Sequence, residues 1–212
     1  MRLGFASFAA ALVCLVVLPF TFAPAAAGAL RLNEFCAGPA RDWNGSGAFS
    51  SRDDEWVEVV NTGATPLDLT GYFITDGDSI PRYGFSGKLA AGDRKLVFGS
   101  DAVDWERANG QPVFGFSLGN SGDAVILWRV AGADSVVEDD YTYKSHEAAA
   151  DRAVGRLPDG TGVWTLLDSL DPYTGTLTPP ASGCVPTPGA INVCDPTPTS
   201  RATWGEVKTR YR

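Results

Sequence analysis

The sequence predicts an all-β fold, an antiparallel β-sandwich followed by a short C-terminal tail. Three observations lead there. Runs of β-forming residues recur about every 10 to 20 positions, and Gly, Asn, Asp and Pro separate them. No heptad pattern is sustained, and only one segment has the pattern of a helix.

The first strand is "LRLNEFCA" (30–37), with Leu30, Leu32 and Glu34 alternating to one side. "EWVEVVN" (55–61) is rich in β-formers and stops at "NTGATP". "DLTGYFITD" (68–76) follows that polar turn, and the segment offers Leu67, Leu69, Phe73 and Ile74 for burial. "RYGFSG" (82–87) and "RKLVFGS" (94–100) come next. "SDAVDWERANG" (100–110) is the helical segment, with Gly110 as its stop. "VFGFSL" (113–118) reads as a strand leading through the "GNSGD" turn into "AVILWRV" (124–130). "SVVEDDYTY" (135–143) and "TGVWTLL" (161–167) complete the set, the latter preceded by "LPDG", where Pro158 presets φ and Gly160 permits a positive one. From Thr174 the chain turns Pro- and Thr-rich, which reads as an extended loop and linker.

The ends differ from the body. Arg2, the apolar run Leu3 to Phe22 and the small residues Ala27 and Ala29 have the layout of a secretory signal peptide, residues 1–29, with cleavage after Ala29. The expected protein is therefore secreted or associated with the cell envelope, its body at 30–193 and its linker at 194–202. Residues 203–212 form a basic amphipathic tail: Trp204, Val207 and Tyr211 fall on one helical face, with Lys208, Arg210 and Arg212 around them. Its expected role is docking or sorting, the alternative being a turn folded back onto the sandwich.

Without the leader, 16 Lys and Arg face 25 Asp and Glu, a net charge of −9; Arg201 to Arg212 contribute +3, so the body carries −12. Such a body repels a phosphate backbone, which argues against nucleic acid as a partner, and it suits divalent cations. Three cysteines follow the leader. Cys184 and Cys194 bracket "VPTPGAINV" and are expected to form a disulfide, leaving Cys36 free or paired elsewhere.

Five pieces, "LRLNEF", "DEWVEVVNTGATPLDLTGYFITD", "FSLGNSGDAVILW", "GRLPDGTGVW" and "PTPGAIN", together resemble a lamin tail domain of the exported bacterial type, over Ala29 to Val193. The resemblance implies an immunoglobulin-like sandwich that serves as a binding or structural module attached to other machinery. Filament assembly is not implied, because no coiled-coil rod is present.

"DWNGSGAFSSRDDEW" is the candidate metal site. Counted as an EF-hand-type loop, Asp42, Asn44 and Ser46 hold positions 1, 3 and 5, Gly47 makes the turn at 6, Ala48 offers its carbonyl at 7, Ser50 its hydroxyl at 9, and Asp53 the carboxylate at 12. Asp54 and Glu55 stand beside Asp53 as further acids. Ser46 and Asp53 each replace a stronger ligand, and flanking helices are missing, so the expectation is a structural Ca²⁺ bound weakly, at ~10⁻⁴ to 10⁻³ M. Similar loops between the first two strands are familiar from bacterial lamin tail domains.

Catalytic residues are expected to be none. His146 is the only histidine and reads as a solvent-exposed loop residue; no serine lies in a nucleophile elbow, and one histidine is too few for hydrolytic zinc. The alternative function is a secreted hydrolase of glycan or phosphodiester using surface carboxylates from "RDDEW" and "EDDY", the latter (138–141) also a possible second cation site. Trp56, Trp128 and Trp164 are expected in the core, Trp43 and Trp204 as exposed contacts for a protein or envelope partner.

Overall fold

A computed structural model describes residues 29–194. The strands are β1 (Leu30–Cys36), β2 (Trp56–Asn61), β3 (Leu67–Asp68), β4 (Tyr72–Thr75), β5 (Pro81–Gly84), β6 (Lys88–Leu89), β7 (Arg94–Phe98), β8 (Gly122–Ala131), β9 (Asp134–Lys144), β10 (Ala153–Leu157) and β11 (Val163–Leu167). One helix, α1 (Gly99–Ala108), lies between β7 and β8. β11-β10-β1-β2-β7 form a five-stranded sheet, β5-β4-β8-β9 a four-stranded one, and β3-β6 a two-stranded ribbon. Every pairing between these strands is antiparallel, as the short strands and turn residues predict for a sandwich.

The two large sheets enclose the core. Leu32, Phe35, Val57, Val59, Val154 and Leu166 come from the first sheet; Tyr72, Ile74, Val125, Leu127 and Tyr143 come from the second. Phe35 packs on Tyr143 at 5.2 Å between ring centroids, and Tyr141 on Trp164 at 4.6 Å, joining the β9 and β11 edges. The opposite edges are joined by α1, which follows β7 and packs against β5. Trp56 is fully buried as expected, whereas Trp128 and Trp164 are half-buried.

Two elements differ from the sequence expectation. "VFGFSL" is not a strand. Buried Glu106 of α1 accepts hydrogen bonds from Phe114 N (2.8 Å) and Gly115 N (2.8 Å), and φ is +70° at Gly115 and +59° at Ser117, so the segment curls against the helix. A Cβ at Gly115 would also lie 2.9 Å from Arg52 Cγ. The second difference is the run after Thr174. Up to Cys194 it is a strap packed on the outer face of the five-stranded sheet, not a free linker, although it forms no named strand.

That outer face is unusual for a sandwich because it is also buried. Cys36, Trp56, Ala153 and Leu167 form a second apolar cluster there with Cys184 of the strap, and Trp43 leans against it. Cys184 and Cys194 are bridged, with Cα atoms 5.0 Å apart, and Cys36 is a buried free thiol. Closing so short a loop restricts the unfolded chain by about 3 kcal/mol. Reduction, or Cys184→Ser, is expected to lower the unfolding free energy by about that amount in chemical denaturation.

Candidate functional site

The loop from Ala37 to Glu55 is built around one carboxylate. Asp54 is fully buried; its Oδ1 accepts Trp43 N (2.8 Å) and Asn44 N (2.9 Å), and its Oδ2 accepts Ser50 N (2.8 Å). Asp151 holds the start of the loop in the same manner, accepting Ala40 N, the indole N–H of Trp43 and Arg41 Nε. Trp43 is therefore half-buried and packed on Trp56 at 6.0 Å, which corrects its expected role as a free contact.

The expected calcium ligands divide into two groups. Asp42 Oδ1 and Asn44 Oδ1 converge on Ser46 N at 3.0 and 2.9 Å, Asp42 Oδ2 accepts Gly47 N, and Ser46 Oγ lies 3.0 Å from Ala48 O. Oxygens from positions 1, 3, 5 and 7 thus gather at one end, where Gly47 has φ +88°. The acidic end does not close on them. Asp53 pairs with Arg52 at 2.6 Å, which holds its carboxyl below the usual range; Ser50 Oγ accepts Asp53 N; Asp54 is engaged as above. Glu55 turns into the protein beside Leu118 N, and burial raises its carboxyl to about 9. No group of three or more His, Cys, Asp or Glu with metal-binding spacing occurs among the described residues. The first half of the loop suits a calcium ion; the second half supplies it no carboxylate.

The same use of acids recurs across the molecule. Ten Asp and Glu side chains are buried among the described residues, so a large share of the body's acids lies in the interior. Asp168 accepts Tyr173 N, Ser182 N and Gly183 N, fixing the strap. Half-buried Asp123 accepts Gly77 N and Gly119 N from two loops and Ala124 N of its own strand. Glu147 accepts Lys144 N and the Tyr141 hydroxyl. Each satisfies backbone donors that a loop cannot pair internally. The "EDDY" acids are dispersed likewise: Glu138 pairs with Arg129, and Asp139 takes Leu32 N and the Arg156 guanidinium. They do not converge as a second cation site.

Residues that sequence reasoning missed lie under the strap. Glu34 and Glu58 are cross-strand partners on the outer face of the five-stranded sheet. A register shift between Leu32 and Glu34 places both Asn33 and Glu34 on this outer face, buried beneath the strap. Glu34 Oε1 accepts Thr187 N (2.8 Å), and its Oε2 lies 2.8 Å from the Thr187 hydroxyl. Glu58 accepts Asn33 Nδ2 (2.7 Å) and Gly189 N (2.7 Å). Asn192 donates to Asn33 O and Arg156 O, and its own N–H goes to Asp159. Gly155 makes that approach possible, since a Cβ there would stand 2.7 Å from Asn192 Nδ2. "LRLNEF", "EWVEVVN", "GRLPDG" and "PTPGAIN" are thus four parts of one hydrogen-bonded unit. The available signal was the presence of Asn33, Glu34 and Glu58 inside apolar strands.

His146 is buried rather than exposed: its Nε2 faces Pro179 O at 3.3 Å and its ring lies 4.8 Å from that of Tyr173, beside Arg152. Two depressions mark the surface of the described residues. One, about 340 Å³, is lined by Phe73, Thr75, Pro81 and Trp128 and has no carboxylate. The other, about 440 Å³, lies between Arg52, Phe114 and Asn120 with Glu55 as its single acid. Residues 1–28 of the expected leader, the expected linker from Asp195 and the tail residues Trp204, Val207, Lys208, Arg210, Tyr211 and Arg212 lie outside the described residues. Among the described residues no helix is long and apolar enough to cross a membrane.

Residues 23–145 match the family model described as Lamin Tail Domain. No curated protein and no solved structure matches the chain.

Proposed function

We propose that this chain, which belongs to the lamin tail domain family, is an exported, non-catalytic binding or structural module. The observation that carries the reading is the employment of its buried acids. Asp54, Asp151, Asp168, Glu34 and Glu58 all accept hydrogen bonds from loop or strap donors, which is the work of a scaffold. The leader-like residues 1–29 and the disulfide-forming cysteines support export. The partner is proposed to be a protein or envelope component, with the basic tail at 203–212 assisting docking or sorting.

The test is an assay of the chain against glycan and phosphodiester substrates, with Glu34→Gln and Glu55→Gln alongside. Turnover no greater than that of buffer supports the module. Turnover that disappears in a folded carboxylate variant would establish the hydrolase instead.

Calcium is proposed as a minor ligand of the loop, held by Asp42, Asn44, Ser46 and the Ala48 carbonyl. With a dissociation constant of ~10⁻³ M, about 5 mM Ca²⁺ stabilises the fold by about 1 kcal/mol. Calorimetry after chelation is expected to show that small rise, and Asp42→Ala is expected to abolish it. A rise several times larger would mean that the metal, not Asp54, orders the loop.

A further inference from the structure

We propose that Glu34 is a proton-dependent latch for the C-terminal strap: as a neutral acid it closes a relay from β1 through Thr187 to Asn192, and as a carboxylate it releases them.

The argument is a count of protons. The Thr187 hydroxyl lies 2.8 Å from Glu34 Oε2 and 2.9 Å from Asn192 Oδ1. It carries one hydrogen, so it donates to only one of them. The Asn192 amide cannot be turned to provide the missing donor. Its Nδ2 faces the Asn33 and Arg156 carbonyls, and an oxygen there would meet two acceptors. Asn192 Oδ1 therefore takes the Thr187 proton, and the contact to Glu34 is a hydrogen bond only if Glu34 supplies one. Glu34 Oε2 then donates to Thr187 Oγ1, while Oε1, the carbonyl oxygen, accepts Thr187 N at 2.8 Å. Both oxygens have the role that a protonated carboxyl assigns them.

The surroundings favour the neutral form. Glu34 is 1% exposed. The charged groups facing it are Glu58 from β2 and Asp159 from the β10–β11 turn, both acidic, while the strap contributes only the uncharged Thr187 and Asn192. Arg94 of β7 is engaged with Glu58 and Asp159; Arg156 of β10 reaches Asp139 and the Leu32 carbonyl; the Cys36 thiol, two residues along β1, is buried. Burial first, and these acids after it, raise the Glu34 carboxyl to about 8, against the pull of the Thr187 N–H. With the folded value above the unfolded one, the contribution to stability is complete below about pH 4.5 and is lost as pH rises through about 8. Ionised Glu34 would oppose its cross-strand partner Glu58 and leave Thr187 unable to serve both neighbours. The strap then loosens over the face that carries Trp56 and Cys36.

Glu34→Gln distinguishes the two protonation states, because an amide reproduces the neutral acid: NH₂ donates to Thr187 Oγ1 and C=O accepts Thr187 N. The experiment is a ¹³C carboxyl titration of the wild-type chain, with hydrogen-exchange protection of Thr187, Gly189 and Asn192 in both proteins at about pH 6 and pH 9. A Glu34 resonance titrating near pH 8 is expected, with strap protection falling about a hundredfold in the wild type and staying nearly constant in Glu34→Gln. A resonance titrating below about pH 5, or a variant whose strap is already unprotected at pH 6, would overturn the latch.

Discussion

Asp54→Ala is expected to lower the unfolding free energy by about 3 kcal/mol or more, and to leave residues 42–50 without amide protection. The carboxylate is fully buried and serves three backbone donors, Trp43, Asn44 and Ser50, at 2.8 to 2.9 Å. Removing it orphans donors that the folded loop cannot pair elsewhere, and each such loss costs about 1 kcal/mol or more. Asp54→Asn should recover little. Whichever way the amide turns, its NH₂ confronts a backbone N–H. Denaturant titration of the three proteins checks the order, with wild type well above both variants. Equal stability of Asp54→Ala and wild type would mean that the loop is held by something else.

Asn192→Ala has the second large effect, about 3 kcal/mol, because Asn192 is buried and its side chain serves Asn33 O, Arg156 O and the Thr187 hydroxyl at once. Asn192→Asp is expected to be worse than alanine despite its shape. It would set a carboxylate oxygen against two carbonyls and add a third acid to the vicinity of Glu34 and Asp159. Both variants should also loosen the strap, since Asn192 is one of its few anchors on β1 and β10. Thermal unfolding monitored together with strap hydrogen exchange separates a local release from global loss. A fully protected strap in Asn192→Ala would contradict the assigned network.

The strands were legible wherever side-chain alternation and turn residues agreed. β2, β4, β8 and β11 lie where Val, Ile, Phe and Trp recur between polar turns, and α1 ends at the asparagine just before Gly110. The sequence misled where one buried acid outweighed local propensity. "VFGFSL" has the residues of a strand, but Glu106 captures two of its N–H groups and bends it. Of the residues in the calcium pattern, Asp42, Asn44, Ser46 and Ala48 are brought together, while Asp53 pairs with Arg52. Asp54 looks like one of three interchangeable acids in "RDDEW", and only tertiary structure distinguishes the one that points into the loop. The unit under the strap was invisible for another reason. The strap's bonds to β1 and β2 span 131 to 159 residues, and alternation says nothing about what covers the outer face of a sheet.

The fold also explains why an acidic chain need not be a metal protein. Interior carboxylates can take the place of ions in ordering loops, since each brings two oxygens with several lone pairs to converging N–H groups. The chain belongs to a family of immunoglobulin-like modules, and its buried acids tie the loops and the strap to the sheets.

Amide hydrogen exchange of residues 42–54 in the presence of a chelator tests that account most directly. Trp43, Asn44 and Ser50 amides already protected in chelator, with protection rising only about sixfold at about 5 mM Ca²⁺, are expected if Asp54 is the organising group. Amides that exchange freely in chelator and become protected only with Ca²⁺ would contradict it, and would return the loop to the metal.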